Sequence, residues 1–327
     1  MPKDLSQPAE SKLRMIMMGT GPFAIPSFDA LRQAGHAIEL VVTRPQPAMK
    51  SRKKTPPSPV RDWAAEHQFD LFDPASINDD AAIEHLRAVS ADLLVVCDYG
   101  QILKPSALST ASLGGINLHG SLLPAYRGAA PVQRSMLSGD SVTGVSVIHM
   151  TPKLDGGPII ATRETMIADH ETAGELEDRL SRMGVEATNE AVNQLIHWDR
   201  DSEIGVVQDP AFATRAPRLS KAEGEIDWSQ TARLIDCHVR GMQPWPVGYT
   251  FVRVEGKDDP VRLAIKQVQM VGEVPSDVPP GTITIDGGLK IAAQDRWIQI
   301  VKLQPAGKRE MAADEFLRGH HPIAIAH

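Results

Sequence analysis

Leu13-Arg14-Met15-Ile16-Met17-Met18-Gly19-Thr20-Gly21-Pro22-Phe23-Ala24 is the stretch from which the fold can be read. An apolar run breaks at two glycines and gives way to helical spacing through Leu31. A second apolar run follows from Ile38 to Thr43, and a third from Leu93 to Cys97, closed by Asp98-Tyr99-Gly100. Strand, helix and strand at these intervals predict a βαβ unit and a mostly parallel α/β sheet. Ile116 to Leu118 and Val145 to Met150 read as later strands. Glu175 to Leu195 carries Leu176, Leu180, Met183, Ala191, Val192 and Leu195 at helical spacing and is expected to close the first domain.

The chain changes character after that helix. Periodicity fades over 199–217, where Pro210 and Pro217 mark a linker. One helical stretch, Thr231 to Arg240, precedes five short β-rich pieces: Tyr249 to Val254, Val261 to Val268, Gly281 to Ile285, Leu289 to Ala292 and Trp297 to Leu303. Gly, Pro and Asp separate them, a pattern that predicts a small C-terminal β-barrel of OB-like type. The expected organisation is a flexible tail over 1–12, a catalytic domain over 13–198, a linker over 199–217 and a barrel domain over 218–327 that is expected to bind RNA.

With 327 residues, 42% hydrophobic and 23% charged, the composition is that of an ordinary globular protein. No apolar run is long enough to span a bilayer, and the polar first dozen residues lack the apolar segment of a secretory signal. A cytoplasmic protein is the expectation. The two cysteines, Cys97 and Cys237, show no metal-type or redox-type pairing and read as free thiols. Net charge is -7, yet from Arg218 onward 14 Lys and Arg balance 14 Asp and Glu. The acidic excess therefore lies before that point, and a local basic surface is still compatible with RNA binding.

Gly19-Thr20-Gly21-Pro22-Phe23-Ala24 fits the loose G-x-G-x-x-G/A pattern, which makes an NADP-dependent oxidoreductase the rival from another class. Pro22 removes a backbone donor from the turn that would cradle a pyrophosphate. Thr43-Arg44 offers no acidic residue for a ribose. A tight βα turn in a Rossmann-like sheet is the favoured reading.

Chemistry concentrates in Ile116-Asn117-Leu118-His119-Gly120-Ser121-Leu122-Leu123-Pro124 and the following Ala125-Tyr126-Arg127-Gly128-Ala129-Ala130-Pro131. Positions i and i+2 of a strand share a face, so Asn117 and His119 point the same way. An amide donor beside an imidazole suits acyl transfer, the one for a developing oxyanion, the other for the proton. Lys153-Leu154-Asp155-Gly156-Gly157 then places a carboxylate on a Gly-rich loop, where Asp155 would orient His119. Spacing alone leaves a structural histidine and a turn-forming aspartate as alternatives.

Asn117-x-His119-x-Ser121-Leu122-Leu123-Pro124, Arg127-Gly128-Ala129-Ala130-Pro131, Thr143-Gly144-Val145 and Leu154-Asp155-x-Gly157 together resemble the signature of folate-dependent formyltransferases. The resemblance implies a Rossmann-like catalytic domain with Asn117, His119 and Asp155 as the catalytic set. It implies 10-formyltetrahydrofolate as formyl donor and tetrahydrofolate as product, with Ser121, Leu122, Leu123 and Pro124 against the folate and Tyr99 in the strand and loop lining its pocket. No metal is implied. Leu219-Ser220-Lys221, Ile226-Asp227-Trp228, Arg240-Gly241, Pro244-Trp245-Pro246 and Leu303-Gln304-Pro305-Ala306-Gly307-Lys308 are similar to the C-terminal part of the branch that formylates initiator tRNA. Charged initiator tRNA is accordingly the expected acceptor, and translation initiation the process served. A monomer that does not bind membranes is expected, with a sugar-nucleotide formyltransferase as the rival within the family and a catalytically dead RNA-binding module as a third reading.

Two departures stand out. Gly156 replaces a threonine common in that family, and Lys50-Ser51-Arg52-Lys53-Lys54 replaces a run of alternating glycine and basic residues. Lys50, Arg52, Lys53 and Lys54 sit in an otherwise acidic domain between Pro45, Pro47, Pro56 and Pro57, and a proline-stiffened loop loses less entropy on docking. These four are expected to contact tRNA. Trp245 and Trp297 could stack on bases, but both are expected to pack in the core.

Overall fold

The computed structural model describes residues 12–46 and 58–326. The tail over 1–11 lies outside them. So do Lys50, Arg52, Lys53 and Lys54.

The chain divides into two compact units. The first comprises residues up to 129, 144–164 and 178–215; the second comprises 130–143, 165–177 and everything from 216. The division therefore follows packing and not a single cut in the sequence, since two short segments that precede residue 178 belong to the second unit.

In the first unit the strands are β1 (Arg14–Gly19), β2 (Ala37–Val42), β3 (Leu71–Phe72), β4 (Leu93–Cys97), β5 (Gly115–His119), the two-residue β6 (Arg127–Gly128) outside the main sheet, β7 (Val142–His149) and β8 (Ile159–Met166). The main sheet runs β3-β2-β1-β4-β5-β7-β8, parallel from β3 to β5 and antiparallel between β5 and β7. Met15 to Met18 and all of β4 are buried, as continuous apolar runs are when helices cover both faces of a parallel sheet. The first unit contains α1 (Ile25–Gln33), α2 (Pro59–Glu66), α3 (Asp80–Val89), α4 (Pro105–Leu108) and the greater part of α6 (Ala173–Ile196), whereas α5 (Pro131–Leu137) belongs to the second unit. At the glycine turn after β1, a Cβ on Gly21 would fall 2.4 Å from the Asp98 carboxylate, so the loop is filled by protein atoms of the β4 turn. A Cβ on Gly184 of α6 would lie 2.7 Å from the Leu118 side chain, so the missing side chain lets α6 press directly on β5. β8 alternates exposed and covered residues after Ala161 and carries Arg163 and Glu164, which suits a charged edge strand.

Past β9 (Arg215–Ala216), the second unit contains α7 (Ala232–Gly241), β10 (Tyr249–Val254), β11 (Val261–Glu273), β12 (Ile283–Thr284), β13 (Lys290–Ala292), β14 (Arg296–Pro305), β15 (Met311–Ala312), α8 (Ala313–Leu317) and β16 (Pro322–Ile325). Thr231 caps α7 by accepting from the Leu234 N–H at 3.4 Å. The strands run β12-β13-β14-β11-β10-β16, with β12 returning to lie beside β16, so the sheet curls into a nearly closed barrel. Its core includes Val252, Leu263, Ile265, Ile291, Ile298, Ile300 and Leu303, with Ile235 and Val239 of α7 packed in from outside. β16, absent from the sequence reading, supplies the sixth strand; its pairing with β10 begins at Pro322, which as a proline belongs on an edge. β11 continues five residues beyond the predicted end, paired with β14 along that length.

The expectation for Trp245 is corrected here: its side chain is 49% exposed, whereas Trp297 is half-buried and Trp228 is the core indole, donating to Thr250 Oγ1 at 3.1 Å. The prolines on either side leave Trp245 on the turn after α7, outside the alternation that turns side chains inward. Both thiols are buried and unpaired with each other, Cys97 in β4 and Cys237 in α7.

Gly144 in β7 has no room for a side chain. A Cβ there would lie 2.0 Å from the Arg163 carbonyl oxygen in β8 and 2.6 Å from the Leu122 side chain. Gly144→Ala is expected to destabilise the fold by about 1–3 kcal/mol, as overpacking does. Thermal unfolding measures it; an unchanged Tm would contradict the close packing.

Candidate active site

β5 delivers Asn117 and His119 from one strand face, while Ile116 and Leu118 point to the opposite, buried side. The strand is held on both flanks, Asn117 opposite Val96 of β4 and Ile148 of β7, and His119 opposite Ser146. Asp155 comes from the loop after β7, where its own φ of 46° lies in the left-handed region. Two residues on, a Cβ at Gly157 would lie 1.8 Å from the His149 carbonyl oxygen, so only glycine lets the loop fold back this tightly.

These three side chains converge. Asn117 Nδ2 donates to Asp155 Oδ1 at 3.3 Å, and the Gly128 backbone N–H donates to Asp155 Oδ2 at 2.9 Å. His119 Nδ1 stands 3.8 Å from Asp155 Oδ2, within reach of its charge but too long for a hydrogen bond. His119 Nε2 lies 2.9 Å from the Tyr126 carbonyl oxygen. A carbonyl only accepts, so Nε2 carries the hydrogen, and Nδ1 is the nitrogen left to exchange a proton beside the carboxylate. The imidazole and carboxylate side chains are only 7% and 12% exposed, a setting in which charges interact more strongly than in water.

Ser121 is fully buried, and its hydroxyl donates to the Ala125 carbonyl at 2.7 Å. Ser146 of β7 stitches the same segment, donating to the Ser121 carbonyl at 2.8 Å and accepting from the Leu123 N–H at 3.0 Å. Leu123 is buried, whereas Leu122 and Pro124 keep part of their surface open. Tyr99 lies in the core with Ile16, Met18 and Leu94, and its hydroxyl has no hydrogen-bond partner among the described residues. Burial pushes its phenol up to about 12, against a smaller opposing pull from the Arg44 guanidinium. Among the described residues no cluster of three His, Cys, Asp or Glu is placed to hold a metal ion, and no helix is long and apolar enough to cross a membrane.

Residues 11–192 match the formyl transferase domain model, and 218–321 match the model of the formyl transferase C-terminal domain. The methionyl-tRNA formyltransferase of Rhodopirellula baltica is 56% identical over 319 residues, covering 95% of this chain and 95% of that protein. The chain belongs to the methionyl-tRNA formyltransferase family. The protein of the same name from Methylococcus capsulatus is 38% identical over 309 residues, covering 94% of this chain and 97% of its own. In structure, the chain is similar to an N-formyltransferase from Helicobacter canadensis solved with folinic acid and dTDP-3-aminofucose, with a TM-score of 0.64 over 88% of this chain and 98% of that one. At 14% identity, that likeness speaks to the fold alone.

Sequence reasoning missed the residue that binds this loop together. Gln208, in the stretch read as a linker, is 7% exposed. Its amide nitrogen donates to the carbonyls of Asp155 at 2.8 Å and Gly157 at 2.7 Å. Its amide oxygen accepts from Arg127 Nε and Nη2 at 3.2 and 2.7 Å. Nearby, Thr214 accepts from the Tyr126 N–H through Oγ1 and from the Arg127 N–H through its carbonyl, fixing the segment that supplies His119 with its acceptor. No periodicity or motif marks Gln208 or Thr214, because both act from irregular chain.

His119→Ala is expected to lower formyl transfer by about 10²–10⁴-fold, the loss that goes with removal of a general acid–base group. Asp155→Asn keeps the shape but loses the charge facing Nδ1, and should be similarly severe. Gln208→Ala leaves the three converging side chains intact and should lower kcat by about 10–10²-fold through a displaced Asp155, with KM little changed. Steady-state kinetics on the three variants decide it, and wild-type turnover in Asp155→Asn would remove the carboxylate from the reaction.

Proposed function

We infer that this chain moves a formyl group from 10-formyltetrahydrofolate to the α-amino group of methionyl initiator tRNA, as a cytoplasmic and monomeric enzyme of translation initiation. The observation that carries the reading is the convergence of the Asn117 amide, the His119 imidazole and the Asp155 carboxylate. The substrate amine attacks the formyl carbon, a C–N bond forms, and the carbonyl oxygen takes the negative charge of a tetrahedral intermediate. One N–H of Asn117 is committed to Asp155, which leaves the other for that oxyanion. His119 Nδ1 accepts the proton lost by the attacking nitrogen, directly or through water, and Asp155 stabilises the imidazolium. When the intermediate collapses, the bond to the folate nitrogen breaks and that nitrogen regains a proton, giving tetrahydrofolate and formylated aminoacyl-tRNA.

Leu122 and Pro124, the half-open members of the run Ser121 to Pro124, are proposed to touch the folate. Ser121 and Leu123 would hold the run's shape from behind, and Tyr99 would form part of the pocket floor. For the acceptor, Lys50, Arg52, Lys53 and Lys54 are proposed to meet tRNA phosphates.

The direct assay incubates the full chain with 10-formyltetrahydrofolate and charged initiator tRNA and scores N-formylmethionine on the tRNA. Formylation of an amino-sugar nucleotide in its place would overturn the acceptor. Replacing Arg52, Lys53 and Lys54 together with Ala is expected to raise the KM for charged tRNA. Each lost phosphate contact should also lower the salt slope by about 0.7–0.9 in log–log terms. Unchanged KM and salt dependence would remove the loop from recognition.

A further inference from the structure

Strand β10 alternates cleanly: Thr250 and Val252 are buried, whereas Tyr249 and Phe251 face the other way and remain partly open. Arg262 of β11 stands opposite Phe251 in the ladder and diagonal to Tyr249. Its guanidinium lies 4.0 Å from the centre of the Tyr249 ring, and the two aromatic rings meet edge to face at 5.8 Å. The outer face of the barrel thus displays two aromatics and a stacked cation where a solvated sheet would carry small polar residues.

Trp245 and Pro246 join this face from the turn after α7, and Lys221 joins it from the segment that enters the unit. Together they line a cavity of about 450 Å³, within the range of about 300–1,000 Å³ common for small-ligand pockets. Two features set it apart from incidental surface. The indole is 49% exposed although it belongs to a turn held in place by a Val247 N–H bond to the Met242 carbonyl at 2.8 Å. Val247 itself has a φ of 73°, an arrangement that strains a β-branched residue and is tolerated where a turn has a task. Both charges on the rim are positive in a chain of net charge -7. Neither Lys221 nor Arg262 has an ion-pair partner among the described residues. The nearest acid in sequence, Glu223, is already bound by Arg134 at 2.7 Å.

An exposed ring sharing a cavity with two cations that have no ion-pair partner among the described residues fits a base and its phosphate. We propose that this cavity is a stacking subsite for an unpaired nucleotide of the tRNA substrate. Trp245 stacks on the base, and Lys221 and Arg262 hold the adjoining phosphates. The assignment rests on the reading of the chain as an enzyme that acts on tRNA.

Filter binding of uncharged initiator tRNA to the full chain, over a series of salt concentrations, tests it. Trp245→Ala should weaken binding by about 10–100-fold, the loss expected for one base–aromatic stack, and Trp245→Phe should recover most of it. The double variant Lys221→Ala, Arg262→Ala should lower the salt slope by about 1.4–1.8, which tests the cations independently of how well Trp245→Ala folds. Wild-type affinity in Trp245→Ala together with an unchanged salt slope in the double variant would overturn the subsite. So would a Trp245→Ala chain that binds tRNA normally but changes its mass in solution, an outcome that assigns the cavity to a second copy of the chain. A wild-type chain that formylates no aminoacyl-tRNA would instead overturn the functional reading beneath it.

Discussion

Asp155 accepts from the Asn117 amide and the Gly128 backbone while its own carbonyl accepts from Gln208, so one residue joins β5, the β6 segment and the loop after β7. Much of the first unit serves to place that carboxylate. Gly157 lets the chain turn back against His149, and Arg127 grips the far side of the Gln208 amide. Gly184 lets α6 press on Leu118 and so backs the strand that carries Asn117 and His119. A carboxylate this enclosed is costly to hold unless its oxygens are partnered, and here both have donors. The residual 3.8 Å between Asp155 and His119 is the one open distance in the network. At that distance no hydrogen bond to the carboxylate blocks the proton exchange proposed at His119 Nδ1.

How much of this the sequence disclosed follows from where the order lies. Buried parallel strands must be nearly continuous in apolar residues, so β1, β2 and β4 were legible, and β10 was bounded at both ends by the expected residues. Asn117 and His119 were legible as a pair on one face because a strand has period two, whereas Asp155, which spacing alone left as a possible turn former, was picked out by the family resemblance. β3 and β12 are two residues each, too short for any period to show. Gln208 was hidden for another reason: its four hydrogen bonds are long-range, and nothing local in a proline-marked stretch announces them.

Trp245 shows the opposite failure. An indole between prolines suggests packing, because a large ring usually gains more from burial than from exposure. The backbone decides otherwise by placing it on a turn beside an outward-facing aromatic pair. In the second unit, then, inward residues make the barrel and the outward residues of the same two strands make the cavity, so one alternation builds both the core and the surface feature.

The placement of the two thiols gives the molecule a property unrelated to its chemistry. Cys97 is enclosed by the first unit and Cys237 by the second, each without a disulfide partner. Burial holds the Cys237 thiol above its ordinary range, so it is a poor nucleophile while the fold is intact. Each unit therefore contains a single silent reporter. The rate at which each sulfur becomes alkylated is a clock for the opening of its own surroundings, read separately for the half that carries Asp155 and the half that carries Trp245.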